Sequence, residues 1–146
     1  MVTLKKISVG ELPNLVQIAF KGDEELFNKY YQFKMDEMGC VNTTLLKIYE
    51  TAKLKKLNYY KVVYSQKPIG FVVYFDNLLY SFGIELKHRK KDILLHWWDK
   101  ITKTMPKQFA CMLYAHNERA INFLKRNGME VMDENAEENI ITLVKN

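Results

Sequence analysis

The sequence has few of the residues that build disulfide frameworks or metal sites. Its 146 residues include two cysteines, Cys40 and Cys111, and three histidines. Two cysteines cannot form a framework of several bridges; Cys111 lies in a predicted buried strand and Cys40 in a predicted loop, so we interpret both as free thiols in a reducing compartment. The histidines lack the spacing to the cysteines that a zinc site needs. We therefore expect no bound metal.

The chain also lacks long apolar runs. No run reaches the length that crosses a bilayer, and the opening residues 1–5 lead directly into mixed sequence without a signal peptide. No linker, internal repeat, low-complexity segment, Walker-type loop or nucleophile motif is present. These absences predict a single domain spanning 1–146, no contact with membranes and a cytoplasmic location.

Positive charge is in modest excess. The net charge of +5 indicates a general affinity for anions, which include a phosphorylated cofactor, nucleic acid or an acidic partner. The lysines are scattered except in the segment 87–91, KHRKK, which we call the basic cluster. Nucleic-acid binding through it is the weaker hypothesis, since no aromatic residues are interleaved with it. A solvated surface explains the basic cluster and the predicted acidic turn at 133–138 equally well.

The most informative stretch runs from residue 78 to residue 131. It reads as a strand (78–86), the basic cluster, a helix (93–103), a nearly all-apolar strand (109–115), a helix opening at 116–119 and closing at 127–128, and a strand. The apolar strand is typical of one buried on both faces. Consecutive strands separated by a helix predict a βαβ unit with parallel strands.

Strands and helices are also predicted on either side of this unit. Trp97 and Trp98 fit a helix stripe with Leu94 and Ile101, which favours core packing. The other predicted elements are strands at Thr3–Val9, Tyr59–Tyr64, Ile69–Phe75 and Asn139–Val144, a helix from Glu11 to Phe20, a helix over Glu24–Met38 with Asp23 as its N-cap, and a helix from Asn42 to about Lys56.

Two segments of the 78–131 stretch resemble the signatures of the GNAT family of acyl-CoA N-acyltransferases. Segment 117–129, NERAINFLKRNGM, is a good match to the pattern N-x-x-A-x-x-F-Y-x-x-x-G-F. Segment 89–94, RKKDIL, takes the place of Q/R-x-x-G-x-G/A without its two small residues. The resemblance implies an α/β (α+β) GNAT fold, with a mixed central sheet of about six or seven strands flanked by helices. In that fold the parallel strands 78–86 and 109–115 splay apart.

The same resemblance implies acetyl-CoA (coenzyme A) as cofactor. Asp92 and Leu94 stand where the family has small residues, and their side chains obstruct the approach of phosphate to the backbone. Cations of the basic cluster can replace some of the lost amide contacts. Asn117 is suited both to the coenzyme arm and to capping its helix. The implied coenzyme-binding residues are Ile84, Leu86, Arg89, Lys90, Lys91, Asp92, Ile93, Leu94, Asn117, Ala120 and Phe123.

Acetyl transfer needs a proton donor for the departing thiolate and a base for the amine. Leu124 occupies the position where many members of the family have a tyrosine donor. Tyr114 or His116, at the end of the second parallel strand, is our candidate acid, and Glu85 is the candidate base. Alternatively, Tyr114 is a core aromatic residue whose hydroxyl reaches water, and Glu85 is simply a solvent-facing residue of its strand.

Two functions therefore follow from the resemblance. The first is an N-acetyltransferase that acts on a small-molecule or peptide amine, with Tyr30, Tyr31 and a loop at 39–44 as candidate acceptor contacts. The second is a catalytically inactive member kept as a binding or structural protein. Small internal proteins of short-tailed bacteriophage virions resemble such members, and this alternative implies a location in the virion.

Overall fold

The structure is a computed structural model, and it describes residues 1–23, 33–36 and 39–145. The strands are β1 (Val2–Lys6), β2 (Phe33–Asp36), β3 (Gly39–Asn42), β4 (Asn58–Tyr64), β5 (Lys67–Phe75), β6 (Leu78–Ile84), β7 (Phe109–Tyr114), β8 (Met129–Asn135) and β9 (Ile140–Lys145). The α-helices are α1 (Leu12–Ala19), α2 (Thr43–Ala52), α3 (Lys91–Thr104) and α4 (Glu118–Arg126).

Seven of the strands form one mixed sheet in the order β1-β4-β5-β6-β7-β9-β8. β6 and β7 run parallel, and the other neighbouring strands of this sheet run antiparallel. β2 and β3 form a separate antiparallel pair. The predicted antiparallel β4-β5-β6 meander, the parallel crossover through α3 and the closing β8-β9 pair are therefore confirmed.

Local turn chemistry explains the hairpin between β4 and β5. Tyr64 pairs with Lys67, and the two turn residues Ser65 and Gln66 have φ of 50° and 65°. Positive φ at both positions gives the turn a twist that matches that of the flanking strands. Gly128, at φ 94°, follows the end of α4 in a conformation that is strained for other residues.

The helices cover both faces of the sheet, and each face has its own apolar core. Ile93, Trp97 and Ile101 of α3 and Ile121 and Leu124 of α4 belong to one core. The other core includes Leu12, Leu15 and Val16 of α1 and Ile48 of α2. Trp97 is 2% exposed and Trp98 is 7% exposed, which confirms that both pack in the core.

One predicted helix is wrong where the structure describes it. The Glu24–Met38 helix overlaps β2 at Phe33–Asp36, which pairs with β3. Apolar and charged residues alternate in this tetrapeptide, a period of two that suits a strand. Residues 24–32 and 37–38, including Tyr30 and Tyr31, lie outside the described residues.

Several predicted bounds also need correction. β1 ends at Lys6. α2 ends at Ala52 and is followed by a turn in which the N–H groups of Leu54 and Lys55 both bond to the Thr51 carbonyl. The 39–44 segment, including Cys40, forms β3 and the start of α2 rather than a loop. β6 ends at Ile84, so Leu86 lies in a following 3-10 turn, and β8 takes the first half of the predicted acidic turn.

Candidate functional site

The neighbouring parallel strands β6 and β7 separate after a short contact. They pair at Leu78–Ala110 and Leu79–Cys111, although β6 continues to Ile84 and β7 to Tyr114. Beyond the contact, β6 is held by β5 and β7 by β9. Each strand thus has a full ladder on its outer side, and a gap opens between their carboxyl ends.

Backbone groups of β6 face this gap. The N–H of Glu85 donates to the Ile69 carbonyl at 2.8 Å, on the side of β5. Alternate residues of a strand direct their backbone groups to opposite sides, so those of Phe82 and Ile84 face the gap. The Ile84 carbonyl accepts a hydrogen bond from Nε of Arg89 at 2.7 Å.

A cavity of about 470 Å³, which we call the larger cavity, lies on the side of α3 and α4. Its apolar wall combines the end of β6 with one face of each helix. The residues of that wall are Phe20, Phe82, Gly83, Ile84, Leu86, Leu94, Trp97, Ala120 and Phe123. On the other face of the sheet the end of β6 packs closely against α1, since a Cβ added at Gly83 would come within 3.0 Å of Ala19 and 3.1 Å of the Phe71 ring.

Arginines supply the charge of the larger cavity. Arg89, Arg119 and Arg126 line it, and its described lining includes no aspartate or glutamate. Arg119 and Arg126 lie two turns apart on one face of α4, with Asn122 between them on the same wall. The described part of this cavity therefore favours an anion.

Arg89 contacts three acceptors of the protein itself. Besides the Ile84 carbonyl, its guanidinium forms an ion pair with Asp23 and donates to the Ala19 carbonyl at 3.3 Å. These contacts connect the turn after β6 to the end of α1. Arg89 has a structural role at the cavity wall, whatever ligand the cavity takes.

The remaining members of the basic cluster do not line the larger cavity. Lys87 is paired with Glu85 at 3.4 Å, and its side chain is 69% exposed. Lys90 is the N-cap of α3 and makes no side-chain cap, and Lys91 is exposed. Asp92 is exposed in the first turn of α3. Among the residues predicted at this helix start, Ile93 is buried in the core and Leu94 reaches the cavity.

The smaller cavity, of about 180 Å³, lies on the side of α2. Apolar residues from α2, β6, β7 and β9 form most of its wall, and polar groups come from Lys47, Tyr80, Ser81, Tyr114 and Asn117. Its described lining includes one cation, Lys47, and no carboxylate. Phe82 and Asn117 line both cavities, so they form a common wall at the gap.

Tyr114, a predicted catalytic residue, lies in this smaller cavity against Lys47. The Lys47 ammonium donates a hydrogen bond to the Tyr114 hydroxyl, and Nζ lies 4.4 Å from the centroid of the Tyr114 ring. An ammonium only donates hydrogen bonds, so the hydroxyl accepts in this contact and keeps its own proton to donate. A cation at the phenol oxygen also stabilises the phenolate that forms when that proton leaves.

Asn117 lies between the two cavities. Its side chain makes no capping hydrogen bond to α4, while its backbone carbonyl accepts from the Ile121 N–H at 3.1 Å. Capping by the side chain therefore does not account for an asparagine here. Ala120 and Phe123, on the next turn of α4, line the larger cavity with it, so the structure brings these three predicted residues together.

The other predicted catalytic residues lie elsewhere. Glu85 is buried, at 7% exposure, with Lys87 at 3.4 Å and Nδ1 of His88 at 3.9 Å, and it lines neither cavity. His116 is exposed in the turn after β7 and also lines neither. Leu124, at the position of the family tyrosine, is fully buried in the core.

Three charged residues of the site, Lys47, Arg119 and Arg126, were absent from the sequence-based prediction. Arg119 and Arg126 had a usable signal, since seven residues on a helix return to nearly the same face. Lys47 had none, because it meets Tyr114 from an element 67 residues away along the chain.

Cys111 lies where β6 and β7 separate. Complete burial raises the pKa of its thiol above the usual value, so the thiolate needed for nucleophilic chemistry is disfavoured. In the part of the chain that the structure describes, no group of His, Cys, Asp and Glu side chains is arranged to hold a metal. None of the described helices is both long and apolar enough to cross a bilayer.

Solved acetyltransferase structures match nearly the whole chain in fold. The PaiA N-acetyltransferase of Thermoplasma acidophilum in complex with coenzyme A is 17% identical, with a TM-score of 0.62 over 99% of this chain and 98% of that one. An acetyltransferase of Thermus thermophilus is 13% identical, with a TM-score of 0.68 over 99% and 96%. The Salmonella typhimurium enzyme that modifies the N-terminal serine of ribosomal protein L7/L12 is 12% identical, with a TM-score of 0.68 over 99% and 94%.

These matches show the fold, which is the GNAT acyl-CoA N-acyltransferase fold. No protein-family model matches the chain, and no curated protein matches it in sequence.

Proposed function

We propose that the protein is an acetyl-CoA-dependent N-acetyltransferase that transfers an acetyl group to an amine. One observation carries the proposal: β6 and β7 separate to form a gap with a cavity on each side, and Phe82 and Asn117 belong to both walls. Such an arrangement suits transfer between two substrates, because each can reach the same reacting atoms from its own side. The fold is shared with N-acetyltransferases, one of them in complex with coenzyme A.

The larger cavity suits the coenzyme arm. Backbone groups of Phe82 can pair with the arm as with a neighbouring strand, and the Asn117 side chain can hydrogen-bond to its amides. Trp97, Phe123 and Leu94 exclude water from its methylene groups. When bound, acetyl-CoA supplies a thioester carbonyl whose carbon is open to attack.

The phosphates of the coenzyme are then assigned to α4 rather than to the basic cluster. Arg119 and Arg126 line the larger cavity, whereas Lys90 and Lys91 do not. Guanidinium groups bind phosphate through paired N–H donors. The first turn of α3 still offers backbone N–H groups without a side-chain cap, but Asp92 places a negative charge beside them.

Tyr114 is the proposed proton donor. Its hydroxyl lies in the smaller cavity next to Asn117, and Lys47 stabilises the phenolate. The amine nitrogen bonds to the carbonyl carbon as the carbon–sulfur bond breaks, the thiolate takes the Tyr114 proton, and the amine loses its proton to water. Glu85 has no role as a base in this scheme, because it is paired with Lys87 and lines neither cavity.

The alternative is a catalytically inactive member of the fold, in a virion or elsewhere. It is favoured by one contact, since Arg89 already occupies the Ile84 carbonyl that a coenzyme arm would use. Asp92 and Leu94 also favour the inactive alternative, because they stand in place of the small residues that let phosphate approach the backbone.

Calorimetric titration with coenzyme A, followed by release of free thiol from acetyl-CoA with a mixture of amines, separates the two functions. We expect binding and turnover. Tyr114→Phe should lower kcat by about 100- to 10,000-fold, the usual contribution of a positioned acid, with coenzyme affinity unchanged.

Tyr60→Phe is the matched control, because Tyr60 stacks on Tyr74 and lines neither cavity. It should leave kcat unchanged. Binding without turnover would favour the inactive alternative, and absence of binding would refute a coenzyme site altogether.

A further inference from the structure

Strands β7, β9 and β8 have one face that lies outside both apolar cores. Alternate residues of a strand face opposite sides of the sheet, and Cys111, Leu113 and Leu143 belong to the core on the side of α3 and α4. The residues between them therefore face the side of α1 and α2. No residue of β7, β8 or β9 belongs to the described core on that side.

Two rows of paired residues, running from β7 through β9 to β8, form a surface that we call the open face. The rows are Met112–Thr142–Asp133 and Ala110–Val144–Glu130. Residues that pair directly across an antiparallel ladder have their side chains on the same face. Met112 is 41% exposed, and both acidic residues are exposed. The open face therefore combines apolar side chains on β7 and β9 with an acidic margin on β8.

A bulge interrupts the edge of the sheet beside this margin. β8 is the last strand in the order of the seven-stranded sheet, and an exposed edge can pair with a further strand. Its register with β9 shifts between Val131 and Asp133, so Met132, which is 63% exposed, has no paired residue on β9. A bulge disrupts the ladder and twists the edge. A partner therefore meets the side chains of the open face rather than a regular strand edge.

The carboxylates of the margin are available to a partner. Neither Glu130 nor Asp133 forms an ion pair within the described part of the chain. The β8–β9 hairpin carries three more exposed carboxylates, those of Glu134, Glu137 and Glu138. An exposed apolar surface with a charged margin is typical of an interaction site.

The charge of the margin restricts the kind of partner. Carboxylates repel the phosphates of nucleic acid and of anionic lipid headgroups. A two-fold contact between two copies places the same patch on both partners, so it would bring the acidic margins close together. A polypeptide segment that carries both apolar and cationic side chains complements the open face in both respects.

The open face continues into the smaller cavity. Met112 belongs to both, and Tyr114 and Ile140, which form the next row along the strands, also line the cavity. Adjacent rows lie about 7 Å apart, and β7 and β8 lie about 10 Å apart across β9. A cation at Asp133 is therefore about 12 Å from the backbone of Tyr114, a span of about four extended residues.

We propose that the open face binds an extended cationic segment of another polypeptide. Its apolar side chains contact Met112 and Val144, and its lysine or arginine side chains contact Glu130 and Asp133. A further step, that the amino terminus of this segment enters the smaller cavity as the acetyl acceptor, rests on the proposed acetyltransferase function. The α-amine then bonds to the acetyl carbon as the carbon–sulfur bond breaks, Tyr114 protonates the thiolate and the amine proton passes to water.

Binding is measured by fluorescence anisotropy with a short peptide labelled at its carboxyl end. The peptide has alanine and leucine near its free amino terminus and lysine from about the fourth residue onward. Comparison peptides have glutamate in place of lysine, or serine in place of leucine. We expect the lysine–leucine peptide to bind more tightly than either by about tenfold or more, and its affinity to fall as salt is added.

Charge variants test the acidic margin. Glu130→Gln combined with Asp133→Asn should weaken binding of the lysine–leucine peptide by about three- to tenfold, as expected for the loss of two exposed ion pairs. Asp76→Asn combined with Asp99→Asn is the charge-matched control, because Asp76 lies in the turn between β5 and β6 and Asp99 lies on α3. This control should leave the affinity unchanged.

A second pair of variants tests the apolar part of the open face. Met112→Gln keeps the length of the side chain and makes it polar, so the affinity should fall by about three- to tenfold. Leu95→Gln is the matched control, because Leu95 is 43% exposed on α3, on the other side of the sheet. It should leave the affinity unchanged.

Equal binding of the lysine and glutamate peptides, or binding unaffected by the open-face variants, would overturn the docking surface. Self-association that sedimentation detects and that Met112→Gln abolishes would assign the open face to a second copy instead.

Release of free thiol from acetyl-CoA with the same peptides tests the acceptor step. Selective binding of the lysine–leucine peptide without turnover would retain the docking surface and refute the acceptor step. Equal turnover of the lysine and glutamate peptides would leave the acetyltransferase function standing and overturn the role of the open face.

Discussion

Helices α3 and α4 both border the larger cavity, but they contribute different chemistry to it. α3 supplies Leu94 and Trp97, while its charged residues Lys90, Lys91 and Asp92 lie away from the cavity lining. α4 supplies Arg119, Asn122 and Arg126 alongside Ala120 and Phe123. Helix α3, which follows the basic cluster, thus contributes apolar side chains to the cavity wall. Helix α4, which follows no such cluster, contributes two arginines.

The difference teaches that a run of charges in sequence does not indicate charge at a site. Consecutive residues at a helix start diverge by about 100° each, so a cluster is spread around the axis. Residues three, four or seven apart share a face instead. Arg119 and Arg126 satisfy that spacing within α4, whereas the basic cluster has only Lys91 inside α3.

The largest expected effect concerns packing by α3. Trp97→Ala removes a side chain that is 2% exposed and contacts the rings of Phe82, Trp98 and Phe123. It should lower the free energy of unfolding by about 3–5 kcal/mol, the usual cost of truncating a buried aromatic residue. Denaturant titration measures this.

Leu95→Ala, on the exposed side of the same helix, provides the comparison. Leu95 is 43% exposed, so its truncation should change stability by about 0.5 kcal/mol or less. Equal losses from the two variants would contradict a packing role specific to the inner face of α3.

The second expected effect concerns the charge on α4. Arg119→Gln combined with Arg126→Gln should weaken coenzyme A binding by about ten- to a hundredfold, because two cations that face the phosphates are lost. The remaining affinity should depend less on salt than that of the parent protein. Calorimetry at two ionic strengths measures both quantities.

Two control variants test whether coenzyme A affinity depends on cations that line the cavity or on positive charge anywhere on these helices. Lys125→Gln removes a cation of α4 outside the cavity lining, and the pair Lys90→Gln with Lys91→Gln removes two from the start of α3. Both should leave the affinity within about threefold, as expected for screened surface charges. A larger loss of affinity in the variant with both Lys90→Gln and Lys91→Gln would indicate that the phosphates bind at the basic cluster.

The smallest expected effect concerns the stability of α3. Asp92→Asn removes a carboxylate from the first turn of α3, where it interacts favourably with the helix dipole. The free energy of unfolding should fall by about 0.3–1 kcal/mol. Coenzyme A affinity should stay within about threefold, because the phosphates are assigned to α4. A larger rise in affinity would contradict that assignment, because it would mean that the Asp92 carboxylate lies close enough to repel the phosphates.

Much of the fold was predictable from local pattern. The strand-like runs of β4 and β5, the apolar run of β7 and the helical stripe through Trp97 each indicate which residues of one element are buried, and burial is what such patterns reflect. The prediction failed at Phe33–Asp36, where four alternating residues follow aromatic residues at helical intervals. The residues Phe33–Asp36 fit the two-residue period of a strand, and they also continue the helical spacing of the aromatic residues before them. The pattern of so short a segment does not distinguish the two structures.

The site was less predictable, because its groups come from separate elements. Asn117, Ala120 and Phe123 share one helix, and the family resemblance identified them together. Arg89 was expected to bind a ligand, but its guanidinium is used by Asp23, Ala19 and Ile84. Which partner a long cationic side chain meets depends on neighbours brought close by folding.

Apart from β2 and β3, the sequence by itself determined the order of strands and helices and the apolar faces that each must bury, because both follow from period and turn chemistry along the chain. The tertiary structure alone decided that Arg119 and Arg126 line the larger cavity with Arg89 while the lysines of the basic cluster do not, and that Lys47 meets Tyr114. These features depend on distances between elements far apart in sequence, and local pattern carries no record of such distances.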